Sequence, residues 1–244
     1  MPAPRRLALV ATLIAASAAA LAQLPQEAAI RKALGAHLAG MPKIDEVNRS
    51  PLPGLFEVRI GSDVFYTDAE GGYLVRGEII DLKSRRNLTE ERVNKLSAID
   101  FASLPLKDAL VWKTGSGARR IAVFADPNCG YCKRFERELT NVKDLTVYTF
   151  LLPILGGDSP QKSEAIWCAK DPAAAWRAWM VEGTAPPKLI GACKTSPVER
   201  NLELSRKHRV NGTPAIVFED GTRIPGMLNA TQLEKQLGAS GGKS

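Results

Sequence analysis

Hydrophobic and polar positions divide the chain into a leading apolar run, a stretch of alternating residues, and a longer part where apolar runs and helical stripes take turns. Glu27 to Leu38 carries Ile30, Leu34 and Leu38 at helical spacing. Leu55 to Ile60 alternates, with Phe56, Val58 and Ile60 on one face and Glu57 and Arg59 on the other. Val64 to Tyr66 continues the β pattern, Gly71-Gly72 marks a turn into Tyr73-Leu74-Val75, and Gly77 to Leu82 extends that last strand. Residues 23–84 therefore predict an α+β unit with one short helix and several antiparallel strands. Residues 85–108 read as a linker, with Thr89 capping a helix whose stripe of Val93, Leu96 and Ile99 is thin. Pro105 ends it.

From residue 109 strands and helices alternate, the pattern of an α/β unit over 109–238. Ala109 to Trp112 and Arg120 to Ala125 predict strands around a Gly115-Ser116-Gly117 turn, followed by a helix from Cys129 to Thr140 and a strand from Leu145 to Leu152. A helical insertion follows over about 158–205, with Asp171-Pro172 as one helix start and Ser196-Pro197-Val198-Glu199 as a capping box. Ala215 to Phe218 and Thr222 to Ile224 form a hairpin, Asn229 to Gln232 opens the last helix, and residues 239–244 read as a disordered tail.

The first 22 residues change the setting. Arg5 and Arg6 precede the apolar run Leu7 to Ala20, and Ala20-Leu21-Ala22 is a cleavage pattern, so residues 1–22 are read as a secretory signal. Fourteen residues are too few for a membrane span. The mature chain, Gln23 to Ser244, has 222 residues, and removing the two arginines takes the net charge from +7 to +5. That charge is scattered, which reads as a solvated surface and not a nucleic-acid footprint.

The chemistry-bearing motif is Cys129-Gly130-Tyr131-Cys132, between the apolar run ending at Ala125 and a helix. A strand leading into C-x-x-C at a helix start is a redox signature of the thioredoxin-like kind; half a zinc site and an inert pair are the competing uses. Free N–H groups and the helix dipole favour a thiolate at Cys129, and Cys132, one turn on, is close enough to resolve a mixed disulfide. Zinc would want a second C-x-x-C or a close histidine pair, whereas His37 and His208 lie far apart. In an oxidising compartment Cys168 and Cys193 are expected as a structural disulfide, more protected from reductant than the first pair. The loop of 24 residues it closes is worth roughly 3–4 kcal/mol. A second motif, Gly212-Thr213-Pro214-Ala215, enters an apolar strand some eighty residues after the first. Thioredoxin-like folds carry a cis-proline loop there, facing the cysteines, and its Thr213 backbone can pair with an extended peptide.

With Ile166-Trp167-Cys168-Ala169-Lys170-Asp171 and the Gly71-Gly72 hairpin before a helical linker, these motifs make the chain resemble DsbC, the bacterial periplasmic disulfide isomerase. The resemblance covers nearly the whole mature chain and is weaker in its first 60 residues. It implies a V-shaped homodimer, with a cystatin-like N-terminal dimerisation domain and a thioredoxin-like fold carrying a helical insertion. It assigns Cys129 as nucleophile, Cys132 as resolving thiol, Gly130, Tyr131, Thr213 and Pro214 to substrate contact, and Cys168–Cys193 as the bridge of the insertion. Clients would be unfolded or misoxidised exported proteins, and a membrane reductase of the DsbD type would keep the dithiol reduced. No metal or organic cofactor is called for. Val123 stands where thioredoxin has a buried aspartate, so no base is expected there, and Asp126 is read as a cap of the active-site helix.

Two other readings compete with isomerisation. An oxidase would use the same pair to donate a disulfide, but thioredoxin-fold oxidases need no N-terminal domain. A holdase would bind unfolded chains without chemistry.

Overall fold

A computed structural model describes residues 25–38, 40, 42–188 and 193–241. The signal reading and residues 242–244 fall outside them. Two compact units meet between Gly77 and Glu78.

In the first unit, α1 (Glu27–His37) accompanies a fully antiparallel sheet of β1 (Glu46–Arg49), β2 (Phe56–Ile60), β3 (Asp63–Thr67) and β4 (Leu74–Val75), in that order. The helical stripe and the strand alternation meet as expected: Ile30 and Leu34 pack with Val47, Phe56, Val58 and Ile60. The hairpin from β3 to β4 needs glycine at position 71. Its φ is +71°, and a Cβ there would lie 2.8 Å from that of Ala33. The strand expected from Tyr73 to Leu82 does not run through. β4 stops at Val75, and β5 (Ile80–Asp81) pairs instead with β6 (Arg86–Asn87) in the second unit.

That second unit opens with the β5–β6 ribbon and α2 (Leu88–Leu96). Asn87, not Thr89, caps α2, its side chain accepting the Glu90 N–H at 3.0 Å. Thr89 lies inside the first turn, and its hydroxyl takes the Ile79 N–H at 2.9 Å. Two 3-10 turns, Phe101–Ser103 and Leu106–Asp108, lead into the main sheet.

That sheet has the order β11-β10-β8-β9-β7, built from β7 (Leu110–Lys113), β8 (Arg119–Ala125), β9 (Leu145–Leu151), β10 (Ala215–Phe218) and β11 (Arg223–Pro225). Only β8 and β9 are parallel, joined by α3 (Gly130–Leu139). The glycine turn after β7 does not close a hairpin, because β7 pairs with β9. β8 is buried on both faces, which explains its unbroken apolar run. Ile121, Val123 and Ala125 pack with Phe135, Leu139, Trp176 and Leu233, while Ala122 and Phe124 pack with Ile99, Phe101, Phe150 and Val217.

The insertion contributes α4 (Ser159–Trp167), α5 (Pro172–Arg177) running into a π-helical turn at Ala178–Glu182, and α6 (Ser196–Lys207). Asp171 caps α5 as expected, accepting the Ala174 N–H at 3.0 Å. The capping box at Ser196 does not form. α6 starts at Ser196 itself, with Thr195 in the cap position and no side-chain cap bond. α7 (Ala230–Gly241) does have reciprocal bonds, between Asn229 and Gln232 in both directions. It runs three residues past Gly238, where disorder was expected, since a helical glycine costs only about 1 kcal/mol.

Candidate active site

Register brings the two motifs together. Ala215 at the start of β10 pairs with Phe124 near the end of β8, so the chain just before β10 lies across from the loop just after β8. Thr213 and Cys129, 84 residues apart, thereby meet: Cys129 Sγ is 3.2 Å from the Thr213 carbonyl oxygen, and the Thr213–Pro214 bond is cis. Gly130 and Tyr131 are exposed at the start of α3, next to the pair.

Cys129 is itself the N-cap of α3, and its sulfur accepts the Cys132 N–H at 3.3 Å. The expectation that Asp126 would cap this helix is therefore not met. The two thiols, 5% and 1% exposed, differ sharply in acidity. The Cys132 thiol donates to the Cys129 sulfur, the largest of the effects that lower Cys129 from 9.0 to about 5. The N–H groups of Cys132 and Tyr131 act in the same sense, against burial. Burial, then the neighbouring thiolate, push Cys132 far above its ordinary value. The arrangement holds one nucleophilic sulfur and one protonated reserve.

A buried network holds the loop between β8 and α3. Asp126 is wholly buried. Its Oδ1 accepts from Asn128 N–H and Ser159 Oγ, both at 2.7 Å, and its Oδ2 from Leu155 N–H at 2.9 Å. Trp179 of the π-turn donates its indole N–H to the Pro127 carbonyl at 2.6 Å. The ammonium groups of Lys133 and Lys162 approach its ring at 3.9 and 4.5 Å. Desolvation, then Lys162, lowers the Lys133 pKa. The insertion thus supports the dithiol loop from behind.

Sequence reading gave Asp126 another role and missed Trp179 and Glu136. For Glu136 a signal existed. Cys132, Phe135 and Leu139 define the buried stripe of α3, and position 136 falls inside that stripe. The carboxyl is 1% exposed, and one oxygen accepts the Trp176 indole N–H at 2.7 Å. Burial raises its pKa to about 7.

Cys168 and Cys193 form a disulfide, with Cα atoms 6.0 Å apart. Cys193 is exposed, so any resistance of this bridge to reductant does not come from burial. Among the described residues no cluster of three or more His, Cys, Asp or Glu side chains could hold a metal ion, and no helix is long and apolar enough to cross a membrane.

A dithiol at a helix start, on a sheet with a central parallel pair and facing a proline loop, defines a thiol–disulfide oxidoreductase of thioredoxin-like fold. Comparison with known proteins agrees. Residues 106–240 match the family described as thioredoxin-like domain, and residues 21–90 match the disulfide bond isomerase protein N-terminal domain. The probable thiol:disulfide interchange protein DsbC of Bordetella parapertussis is 46% identical over 213 residues, 87% of this chain and 75% of that one. The thiol:disulfide interchange protein DsbC of Escherichia coli is 30% identical over 202 residues, 80% and 81% of the two chains. Among solved structures, a disulfide interchange protein from Neisseria gonorrhoeae aligns at a TM-score of 0.53 with 36% identity, covering 56% of this chain and 98% of its own. The chain belongs to the DsbC family of thiol:disulfide interchange proteins.

Proposed function

We propose that this chain isomerises wrong disulfides in exported proteins in the periplasm. The observation that carries the reading is the split in acidity between Cys129 and Cys132 beside the Thr213 carbonyl. The Cys129 thiolate attacks one sulfur of a client disulfide, forming a Cys129–client disulfide and releasing a client thiolate. A second client thiolate then attacks the client sulfur of that bond. A new client disulfide forms, Cys129 leaves as thiolate, and no electrons are gained or lost overall. Cys132 is the escape route, whose attack releases the client reduced. Its raised pKa supports slow escape and a long-lived mixed disulfide, which suits shuffling.

Gly130, Tyr131, Thr213 and Pro214 contact the client, and Cys168–Cys193 is structural. Residues 1–22 act as signal, 23–84 as dimerisation domain, 85–108 as linker, and 109–238 as catalytic domain. A membrane reductase of the DsbD type returns the pair to the dithiol. The domain matched at residues 21–90 favours isomerase over oxidase.

The test is reactivation of a multi-disulfide protein with scrambled bonds. The reduced mature chain should restore activity, and Cys129→Ala should lose that while keeping any suppression of client aggregation. Equal reactivation by Cys129→Ala would end the isomerase reading. A Cys129–Cys132 pair found mostly oxidised in freshly isolated periplasm would favour the oxidase.

A further inference from the structure

The loop that faces the dithiol also borders a cavity of about 300 Å³. Its lining includes Gly212, Thr213 and Pro214 of that loop, Arg223 and Pro225 of β11, and Arg209 just past α6. The surrounding backbone is pinned: the Gly226 N–H donates to the Pro214 carbonyl at 2.8 Å, and Ala215 of β10 pairs with Pro225. Thr213 belongs at once to this cavity and to the active site, since its carbonyl oxygen lies 3.2 Å from Cys129 Sγ.

The charge of this cavity lacks a carboxylate partner. Arg223 is half-buried, and its guanidinium donates to the His208 carbonyl at 2.6 Å. Among the described residues no carboxylate pairs with Arg223 or Arg209. The two acids of the β10–β11 hairpin are engaged elsewhere: Glu219 with Arg120, and Asp220 with the Thr222 N–H at 2.9 Å. Burial lowers the Arg223 pKa, and burial, then Lys207 and Arg223, lowers that of His208, so positive charge here faces more of the same sign. Taking a guanidinium partly out of water without a counter-charge is costly, and an incoming carboxylate relieves that cost. Arg209 adds to the picture. Its φ is +52°, a left-handed conformation that glycine adopts without strain and a residue with a side chain does not.

We infer that Arg209 and Arg223 form a carboxylate site beside the client-pairing loop, which favours client segments carrying glutamate or aspartate close to the reacting cysteine. The inference rests on the proposed disulfide exchange and specifies its substrate class. An extended segment rises about 3.3 Å per residue, so a side chain two places from the cysteine held at Cys129 comes within reach of a cavity that Thr213 itself lines. A guanidinium presents paired N–H donors that match the two oxygens of a carboxylate.

The test uses two short peptides, otherwise of glycine and serine and with blocked ends, each with one cysteine held as a disulfide with 2-mercaptoethanol. One has glutamate two residues before and two residues after the cysteine, and the other has glutamine at both places. In the mature chain carrying Cys132→Ser, the Cys129 thiolate attacks the peptide sulfur, 2-mercaptoethanol leaves as thiolate, and the Cys129–peptide disulfide accumulates. Its rate of formation is read by mass spectrometry. The glutamate peptide should react about five times faster, the scale of one partly shielded ion pair. Adding Arg223→Gln, or Arg209→Gly where glycine suits the backbone, should lower that ratio, and the two together should bring it below about twofold. Adding Arg137→Gln, which removes the same charge from an exposed position on α3, should leave the ratio unchanged. Equal rates for the two peptides, a ratio that survives both substitutions, or an equal loss with Arg137→Gln would overturn the site. Glutathione disulfide reads the other source of carboxylates. If its rate falls with the two arginine substitutions while the peptide ratio does not, the cavity serves a small molecule and the client site is overturned. If neither peptide nor glutathione disulfide reacts, the exchange reading itself fails, and the site with it.

Discussion

Glu136 of the active-site helix accepts the indole N–H of Trp176, from the insertion, at 2.7 Å inside a core that excludes water. Its second oxygen has no hydrogen-bond partner. In the unfolded chain this carboxyl titrates near 4.5, and in the fold near 7, because burial disfavours the charge. Between those values the folded state holds a proton that the unfolded state has lost, so this group's contribution to stability falls as pH rises and levels out above about 7. Glu136→Gln keeps an acceptor for Trp176 and removes the charge. It should unfold at higher urea than wild type at pH 8, by up to about 2–3 kcal/mol, with the gap closing towards pH 5. A gap that is constant across that range would show the carboxyl to be uninvolved.

Cys129 should be the group modified by alkylating agents. With its pKa lowered from 9.0 to about 5, labelling of the reduced protein by iodoacetamide should rise with a midpoint near pH 5 and be flat above about pH 7. Cys132, 1% exposed and held protonated, should stay unlabelled until the protein unfolds. Peptide mapping after brief labelling at pH 6 decides the matter. Label on Cys132 first would reverse the two roles.

The two cysteine pairs should separate under mild reduction, for a reason that differs from shielding. Cys193 is exposed, while Cys129 and Cys132 are buried. When oxidised, however, the active-site bridge has in Cys129 an unusually good leaving thiolate, and a stabilised thiolate favours the reduced form. Graded dithiothreitol followed by mass mapping should therefore free Cys129 and Cys132 while Cys168–Cys193 persists. Replacing both Cys168 and Cys193 by serine should cost roughly 3 kcal/mol. Simultaneous release of all four thiols would contradict this.

Association should depend on residues of about 70–84. β4 is an edge strand of the first unit, and its Tyr73–Val75 border is exposed: Tyr73 76%, Leu74 37% and Val75 47%. Further along the same segment Ile80 is 52% and Leu82 86% exposed. An edge of this kind is covered most economically by its twofold copy. Gly77→Asp is a clean probe, since a Cβ at Gly77 meets nothing within 4 Å and φ there is not left-handed. The variant should fold, sediment as a monomer, exchange small disulfides and lose isomerisation of multi-disulfide clients. Deleting residues 23–84 should give the same result. A wild-type chain that sediments as a monomer at micromolar concentration would refute the dimer.

Local chemistry in the sequence determined a large part of this protein. The stripe of Ile30 and Leu34, the alternation of Phe56, Val58 and Ile60, the apolar run of β8 and the C-x-x-C at a helix start each need only neighbouring residues to be read, because helical and strand periodicities are local. The family's loop at Thr213 and Pro214 was legible for the same reason. Other features depended on groups distant in the chain. Thr89 and Asp126 each looked like a helix cap, yet the fold offered them donors at Ile79, Leu155 and Ser159, and left capping to Asn87 and to Cys129 itself. A side chain that can bond a local N–H will equally bond a distant one, and only packing decides which comes within reach. The strand read from Tyr73 to Leu82 divided because pairing partners, not propensity, determine where a strand ends. The acidity of Cys129 and the raised pKa of Glu136 both arise from contacts across the sheet and the insertion. Desolvation and hydrogen bonding act through space, so these properties existed only once the chain had folded.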